Sequence, residues 1–234
     1  MLRPICVFTL TGILIAQAAH VSGATFDKGG NGVKSSKAIA LPQPRTAGAM
    51  SLEETLQKRR SVRDFRKMPV SLEDVSQLLW AAQGITHGEG RRTAPSAGAL
   101  YPLELYLLAG DVRDLPAGIY RYVTHQHHLE PVRAGQFRAD ISAAALHQNW
   151  IEDGAVILVF AAVEARTTGK YGDRGIRYIY MEAGHAAQNA LLQSVALGLG
   201  GTPVGAFDEE QVAKTLGLPQ GEKVLSLLPI GKPR

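Results

Sequence analysis

Two stretches decide the fold: residues 155–162, AVILVFAA, and residues 176–197, IRYIYMEAGHAAQNALLQSVAL. The first is a short, continuous apolar run of the length of a buried strand. The second places Ile179, Ala183, Ala186, Ala190 and Leu191 on one helical stripe, and Tyr178, Glu182, His185 and Asn189 on another, with Gln188 adjoining. As a helix it spans roughly 33 Å, long enough to be the backbone of a domain. Its polar stripe is poor in Lys, so it reads as a half-buried polar seam rather than a solvated face.

Working outward, Ser51-Leu52-Glu53-Glu54 is a capping box that opens a helix to about Arg60, and Ser71-Leu72-Glu73-Asp74 repeats the device. The second helix carries Val75, Leu78, Leu79 and Ala82 on one face and stops at Gly84. A loop of Gly, Arg, Ser and Pro follows over 86–102. Leu103–Ala109 reads as a buried strand, and 118–123 with 129–132 as a hairpin around Thr124–His128. Residues 137–150 read as a helix, Asp208 caps a short helix to Leu216, and 224–229 is a last strand. Helices mix with tight hairpins instead of alternating strictly with strands, so the class is α+β.

The chain has 234 residues, 45% of them hydrophobic and 20% charged, which excludes a disordered tail, a collagen or a coiled coil and fits one ordinary domain. A net charge of +4 permits anionic ligands without demanding nucleic acid. Arg3, the apolar run from Ile5 to Ala19 and the small-residue exit at Val21-Ser22-Gly23-Ala24 predict a secretory signal peptide over 1–24 and an exported, periplasmic or secreted product. Cys6 is the only cysteine and leaves with that segment. The mature chain then has no disulfide, thiolate metal site or cysteine nucleophile. No other stretch is apolar and long enough to span a membrane. Residues 25–50 read as a flexible leader, with the folded domain over 51–234.

Four groups of residues carry chemistry. Lys58, Arg59, Arg60, Arg63, Arg66 and Lys67 cluster around Ser61 at a helix end. They can answer the helix dipole, or their guanidinium forks and the hydroxyl can hold phosphate oxygens; a nucleic-acid patch lacks interleaved aromatics. Residues 94–102, APSAGALYP, form a run of small residues whose backbone a flat ligand can approach closely. The seam of the long helix supplies hydrogen-bonding groups. Lys170 and Tyr171, in what reads as a Gly-flanked loop, can move protons. Two other patterns are set aside. His125, His127 and His128 lie at a hairpin tip without an acidic partner, and successive strand residues point to opposite faces. Gly198-Leu199-Gly200-Gly201 follows a helix instead of joining a strand to one, so it is a helix stop and no dinucleotide fingerprint.

In chain order the motifs are Arg59-Arg60-Ser61-x-Arg63, LLWAAQG (78–84), PSAGALYP (95–102), Lys170-Tyr171-Gly172, EAGHAAQN (182–189) and GLGGTPVGAF (198–207). Together they resemble the nitroreductase family of FMN enzymes, and its SagB-type dehydrogenase branch in particular, over residues 51–234. The resemblance implies a mostly antiparallel central sheet flanked by helices, and a domain-sharing homodimer with FMN at the interface. It implies that Arg59, Arg60, Ser61 and Arg63 bind the phosphate and ribityl chain, with Lys232 and Arg234 as further basic contacts. It implies that Pro95, Ser96, Ala97 and Gly98 reach the flavin of the other subunit, and that Pro203, Val204, Gly205 and Ala206 flank the ring. Lys170 and Tyr171 match the proton-transfer pair of the azoline oxidases.

Many nitro- and quinone-reducing members carry Glu where this chain has Gly205, and azoline-forming assemblies use an extra recognition domain or partner beyond the single small domain expected here. The expected activity is hydride transfer between a small organic or peptide-derived substrate and the flavin. The alternatives are an NAD(P)H-dependent nitro- or quinone-reductase, and a non-catalytic flavin- or tetrapyrrole-binding protein. Export favours the first, because NAD(P)H is a cytosolic reductant.

Overall fold

The computed structural model describes residues 37–234. The expected signal peptide and the first part of the expected leader lie outside the described residues. The rest of the leader is part of the fold, which corrects the expected start at Ser51. Strand β1 (Ile39–Ala40) pairs antiparallel with β5 (His128–Ala134), and Ile39 and Leu41 are buried in the core. Two apolar side chains in a Pro- and Lys-rich stretch suffice to seal the sheet edge, although they are too few to show a period.

Helix α1 (Leu52–Lys58) begins where Ser51 accepts a hydrogen bond from the Glu54 amide at 3.1 Å. It ends two residues before the expected Arg60, as the chain turns into β2 (Phe65–Arg66). Helix α2 (Leu72–Gln83) has the full reciprocal box between Ser71 and Asp74. The remaining strands are β3 (Leu103–Ala109), β4 (Gly118–Val123), β6 (Val156–Val163), β7 (Gly200–Gly201) and β8 (Glu222–Pro233). The remaining helices are α3 (Arg138–Ala144), α4 (Ala165–Tyr171), α5 (Arg174–Ala196) and α6 (Glu209–Leu216).

The eight strands form one sheet in the order β1-β5-β4-β3-β6-β8-β2, with β7 pairing to β8 off that path, and every pairing is antiparallel. The period of two sorts the central strands between two cores. Leu103, Leu105 and Leu107 of β3 and Leu158 and Phe160 of β6 face α2 and α5, with Val75, Leu78, Ile179, Ala183, Ala186 and Ala190. Tyr106 and Leu108 of β3 and Ile157 and Val159 of β6 face α3 and α6, with Ile141, Val212 and Leu216. Helices cover both faces of the centre, so β6 reads as an unbroken apolar run.

Two elements differ from expectation. The expected 137–150 helix stops at Ala144; Leu146 and His147 adopt left-handed backbone, φ +55° and +56°, and a 3-10 turn follows at Asn149–Ile151. Lys170 and Tyr171 close α4 rather than lying in a loop, because Gly172, at φ +56°, caps that helix with its amide on Thr168 O. Among the described residues no helix is long and apolar enough to cross a membrane.

Candidate active site

The basic cluster is built by three segments meeting at the edge of β8. The segment after α1 lies against β7: Ser61 bridges to Gly201, the Val62 amide donates to Gly201 O at 3.1 Å, and the Thr202 hydroxyl donates to Val62 O at 2.8 Å. This approach needs bare backbone, since a Cβ on Gly200 would lie 2.6 Å from Val62 Cγ2, and one on Gly201 would lie 2.5 Å from Pro229 O of β8. Gly200 and Gly201 are therefore a strand in close packing, and Gly198, at φ +66°, alone ends α5. β2 then pairs with the end of β8, Arg66 opposite Lys232, and the Arg234 amide donates to Asp64 O. Arg59, Arg60, Ser61, Arg63, Lys232 and Arg234 thus come from both ends of the domain to one place.

The charges there are largely unanswered. Arg234 reaches Asp64 at 3.3 Å across an exposed pair, and Arg60 donates to the backbone oxygens of Gln57 and Arg59. Among the described residues no ion pair is recorded for Arg59, Arg63 or Lys232. The Lys232 ammonium stands 3.2 Å from where a Cβ on Gly198 would be, beside the C-terminus of α5. Unpaired cations around a hydroxyl suit a dianion.

Residues 203–206 continue from the same place. Val204 is buried and exchanges hydrogen bonds with Leu227, while Pro203, Gly205 and Ala206 are exposed. A Cβ on Gly205 would meet nothing within 4 Å, so the strip is an open, side-chain-poor surface. Two residues that sequence reasoning missed support it. Gln148 donates to Ala206 O at 3.1 Å, and Trp150 lies 5.7 Å beneath the Arg63 guanidinium. Only their polar and aromatic character in an otherwise bland stretch could have pointed to them.

The second half of the site is elsewhere. In the 95–101 loop, Gly98, Ala99 and Tyr101 are left-handed, at φ +63°, +54° and +47°. The Ser96 hydroxyl oxygen accepts from the Tyr101 amide at 2.9 Å. Arg166 of α4 donates to Tyr101 O and bridges to Glu104 at 2.6 Å, fixing α4 against the loop. Lys170 and Tyr171 face Gly98, and the Tyr171 ring meets Tyr178 of α5 edge-on with centroids 5.2 Å apart.

Pro95, Ser96 and Ala97 border a cleft of about 260 Å³ with Tyr178, Met181, Glu182 and His185 of α5. Glu182 is 2% exposed, and burial pushes its carboxyl up to about 7, against a hydrogen bond with Ser96 and the charge of Arg92. Arg92 is held by Gln83 at 2.8 Å and lies over the Tyr101 ring at 4.6 Å. Neither residue was singled out from sequence: Arg92 was one of several Arg in a loop, and Gln83 one polar residue in an apolar helix.

Within one chain the two halves are apart. The loop meets α5 at Glu182 and the basic cluster meets it at Gly198; sixteen residues of helix are about 24 Å. Of the hairpin histidines, His127 is in structural use, with Tyr122 and Ser76 at 2.8 Å each, and His128 lies 3.6 Å from Glu130.

The profile of the nitroreductase family matches residues 56–232. A Methanocaldococcus jannaschii protein described as a nitroreductase is 41% identical over 183 residues, which cover 78% of this chain and 91% of that one. The Escherichia coli microcin B17-processing protein McbC is 31% identical over 160 residues, 66% of this chain and 59% of its own length. A solved structure described as a nitroreductase, from Ralstonia eutropha, superposes with a TM-score of 0.74 at 31% identity, over 92% of this chain and 98% of that chain. The expected α+β architecture and the ordered motifs agree with these likenesses: the chain belongs to the nitroreductase family and is an oxidoreductase.

Proposed function

We propose that the chain is an exported FMN-dependent dehydrogenase of the SagB type, removing hydride from a small organic or peptide-derived substrate. The observation that carries this reading is the contact of Gly98 with both Lys170 and Tyr171, which sets the flat, small-residue loop against a pair able to take a proton. The 31% identity to a microcin-processing protein supports it. The residues present fit FMN: unpaired Arg59, Arg63 and Lys232 with Ser61 for the phosphate, and the bare strip 203–206 for a flat ring.

Bound FMN supplies a hydride acceptor, which this chain's own side chains cannot. Arg59, Arg60, Arg63, Lys232 and Arg234 would neutralise and anchor the phosphate, with Ser61 as a hydroxyl donor beside them. Lys170 or Tyr171 takes the proton released as the substrate loses hydride. The 24 Å between the two halves supports a homodimer in which each chain lends its loop to the other's cofactor. Leu52, Leu56, Tyr180 and Met181, each more than half exposed on α1 and α5, are apolar surface for such a pairing.

A second reading, an NAD(P)H-dependent nitro- or quinone-reductase, is favoured by the 41% identity to the Methanocaldococcus jannaschii protein and by the open space at Gly205. The test is to purify residues 25–234 without added cofactor, identify any flavin released on denaturation, and assay with and without NADH. FMN near one per chain with NADH-independent substrate oxidation is the expected result. Brisk NADH oxidation establishes the second reading, and a colourless protein that refuses FMN overturns both.

A further inference from the structure

Glu182 is buried in the middle of α5, yet one of its oxygens, Oε1, has no hydrogen-bond partner. Its hydrogen-bond partner is Ser96, the residue that also receives the Tyr101 amide and so closes the left-handed turn of the loop. Around it stand Arg92 from the loop, itself held by Gln83 of α2, and Tyr178 and His185 from its own helix. Arg92 in turn feels Glu104, Tyr101 and Arg166. An ionised carboxylate oxygen without a donor is costly in such a place, whereas a neutral carboxyl loses far less by burial.

We infer that Glu182 is a positioning residue for the reaction, a carboxyl that lets the 95–101 loop close while neutral and loosens it on ionising. Closure seats Gly98 on Lys170 and Tyr171, so the charge state of a residue outside that pair sets the geometry of the pair. The direction follows from linkage. The closed loop covers the carboxyl and holds its proton up to about pH 7, while an open loop exposes it to water and returns it toward 4.5. Rising pH therefore favours opening. The Ser96 hydrogen bond and, less strongly, the charge of Arg92 oppose this, and the burial effect exceeds both. The consequence for catalysis rests on the reading of this loop as part of the reaction site; the consequence for the loop itself does not.

The test is amide hydrogen exchange of peptides covering 94–102, at pH 6.0 and 8.5, corrected for intrinsic chemical exchange, on the full domain. A carboxyl moving between about 7 closed and 4.5 open predicts protection lower by about tenfold at pH 8.5, with β3 unchanged. Glu182→Gln, a neutral carboxyl's shape at every pH, should keep the loop protected at both. His185→Gln should retain the wild-type response. Wild-type protection that does not change with pH overturns the inference, as does Glu182→Gln that loosens with pH like wild type. If Glu182→Gln loses β3 protection and is unfolded, Ser96→Ala decides: it should loosen the loop already at pH 6.0, and retained protection overturns the inference. In the FMN-loaded protein, kcat should fall over the same range. A loop that loosens while kcat stays level leaves the latch standing and removes the loop from the proposed reaction site.

Discussion

Gly98 stands against the tip of Tyr171: a Cβ on the glycine would lie 2.8 Å from the phenol oxygen and 3.1 Å from the Lys170 ammonium. The glycine is also left-handed, at φ +63°. Gly98→Ala therefore meets two obstacles, a backbone penalty of about 1–2 kcal/mol and a clash with the end of a side chain. Tyr171 can yield, so the variant should fold, with stability lower by about that amount in urea unfolding and with the Lys170–Tyr171 pair displaced. An unchanged urea midpoint would mean that the loop is not held in this conformation.

The proton-transfer pair makes a sharper claim. Lys170→Ala and Tyr171→Phe leave the basic cluster untouched, at the far end of α5. Each should retain bound flavin, and the variant lacking the working base should lose about 10²–10⁴ in turnover. Flavin content and kcat measured on the same preparations check this. Undiminished turnover in both variants removes the pair from the mechanism.

Lys232 and Arg59 offer a test of the anion site that needs no substrate. A charge-assisted hydrogen bond to phosphate contributes about 1.5–3 kcal/mol, so Lys232→Ala or Arg59→Ala should weaken FMN by roughly 10- to 150-fold. Riboflavin, which lacks the phosphate, should bind wild type and variants alike. Flavin fluorescence titrations with both ligands make the comparison, and an equal loss for riboflavin would place the phosphate elsewhere.

The fold was legible where the chain obeys one simple period. AVILVFAA could only be buried on both faces, and α5 announced both its stripes; Ser71 and Asp74 supplied a start signal that the structure reproduces bond for bond. What stayed hidden depends on distance along the chain. β1 is two residues whose only signal is a partner near residue 129, and the basic cluster needs Lys232 brought back beside Arg66 by β8. α4 reads as loop because Thr167, Thr168 and Gly169 are poor helix formers, and it is its contact with α5 and the Arg166 tether that hold it helical. Arg92 and Gln83 form their pair across a turn that no local pattern specifies.

The pH dependence of stability follows from Glu182 with a definite sign. Its folded carboxyl is raised from 4.5 to about 7, so between those values the native protein holds a proton that the unfolded chain has released. Stability attributable to this group is therefore complete below about pH 4.5 and declines as pH rises to 7, by on the order of 3 kcal/mol. The side chain is 2% exposed, so solvent does little to soften the effect. Other titrating groups also contribute, and the useful quantity is the difference between wild type and Glu182→Gln. Urea unfolding at pH 5 and pH 8 should show wild type losing more stability than the variant over that interval. Equal losses would mean that Glu182 is ionised throughout, in which case its orphaned oxygen must find a donor that Arg92 and Ser96 as placed do not provide.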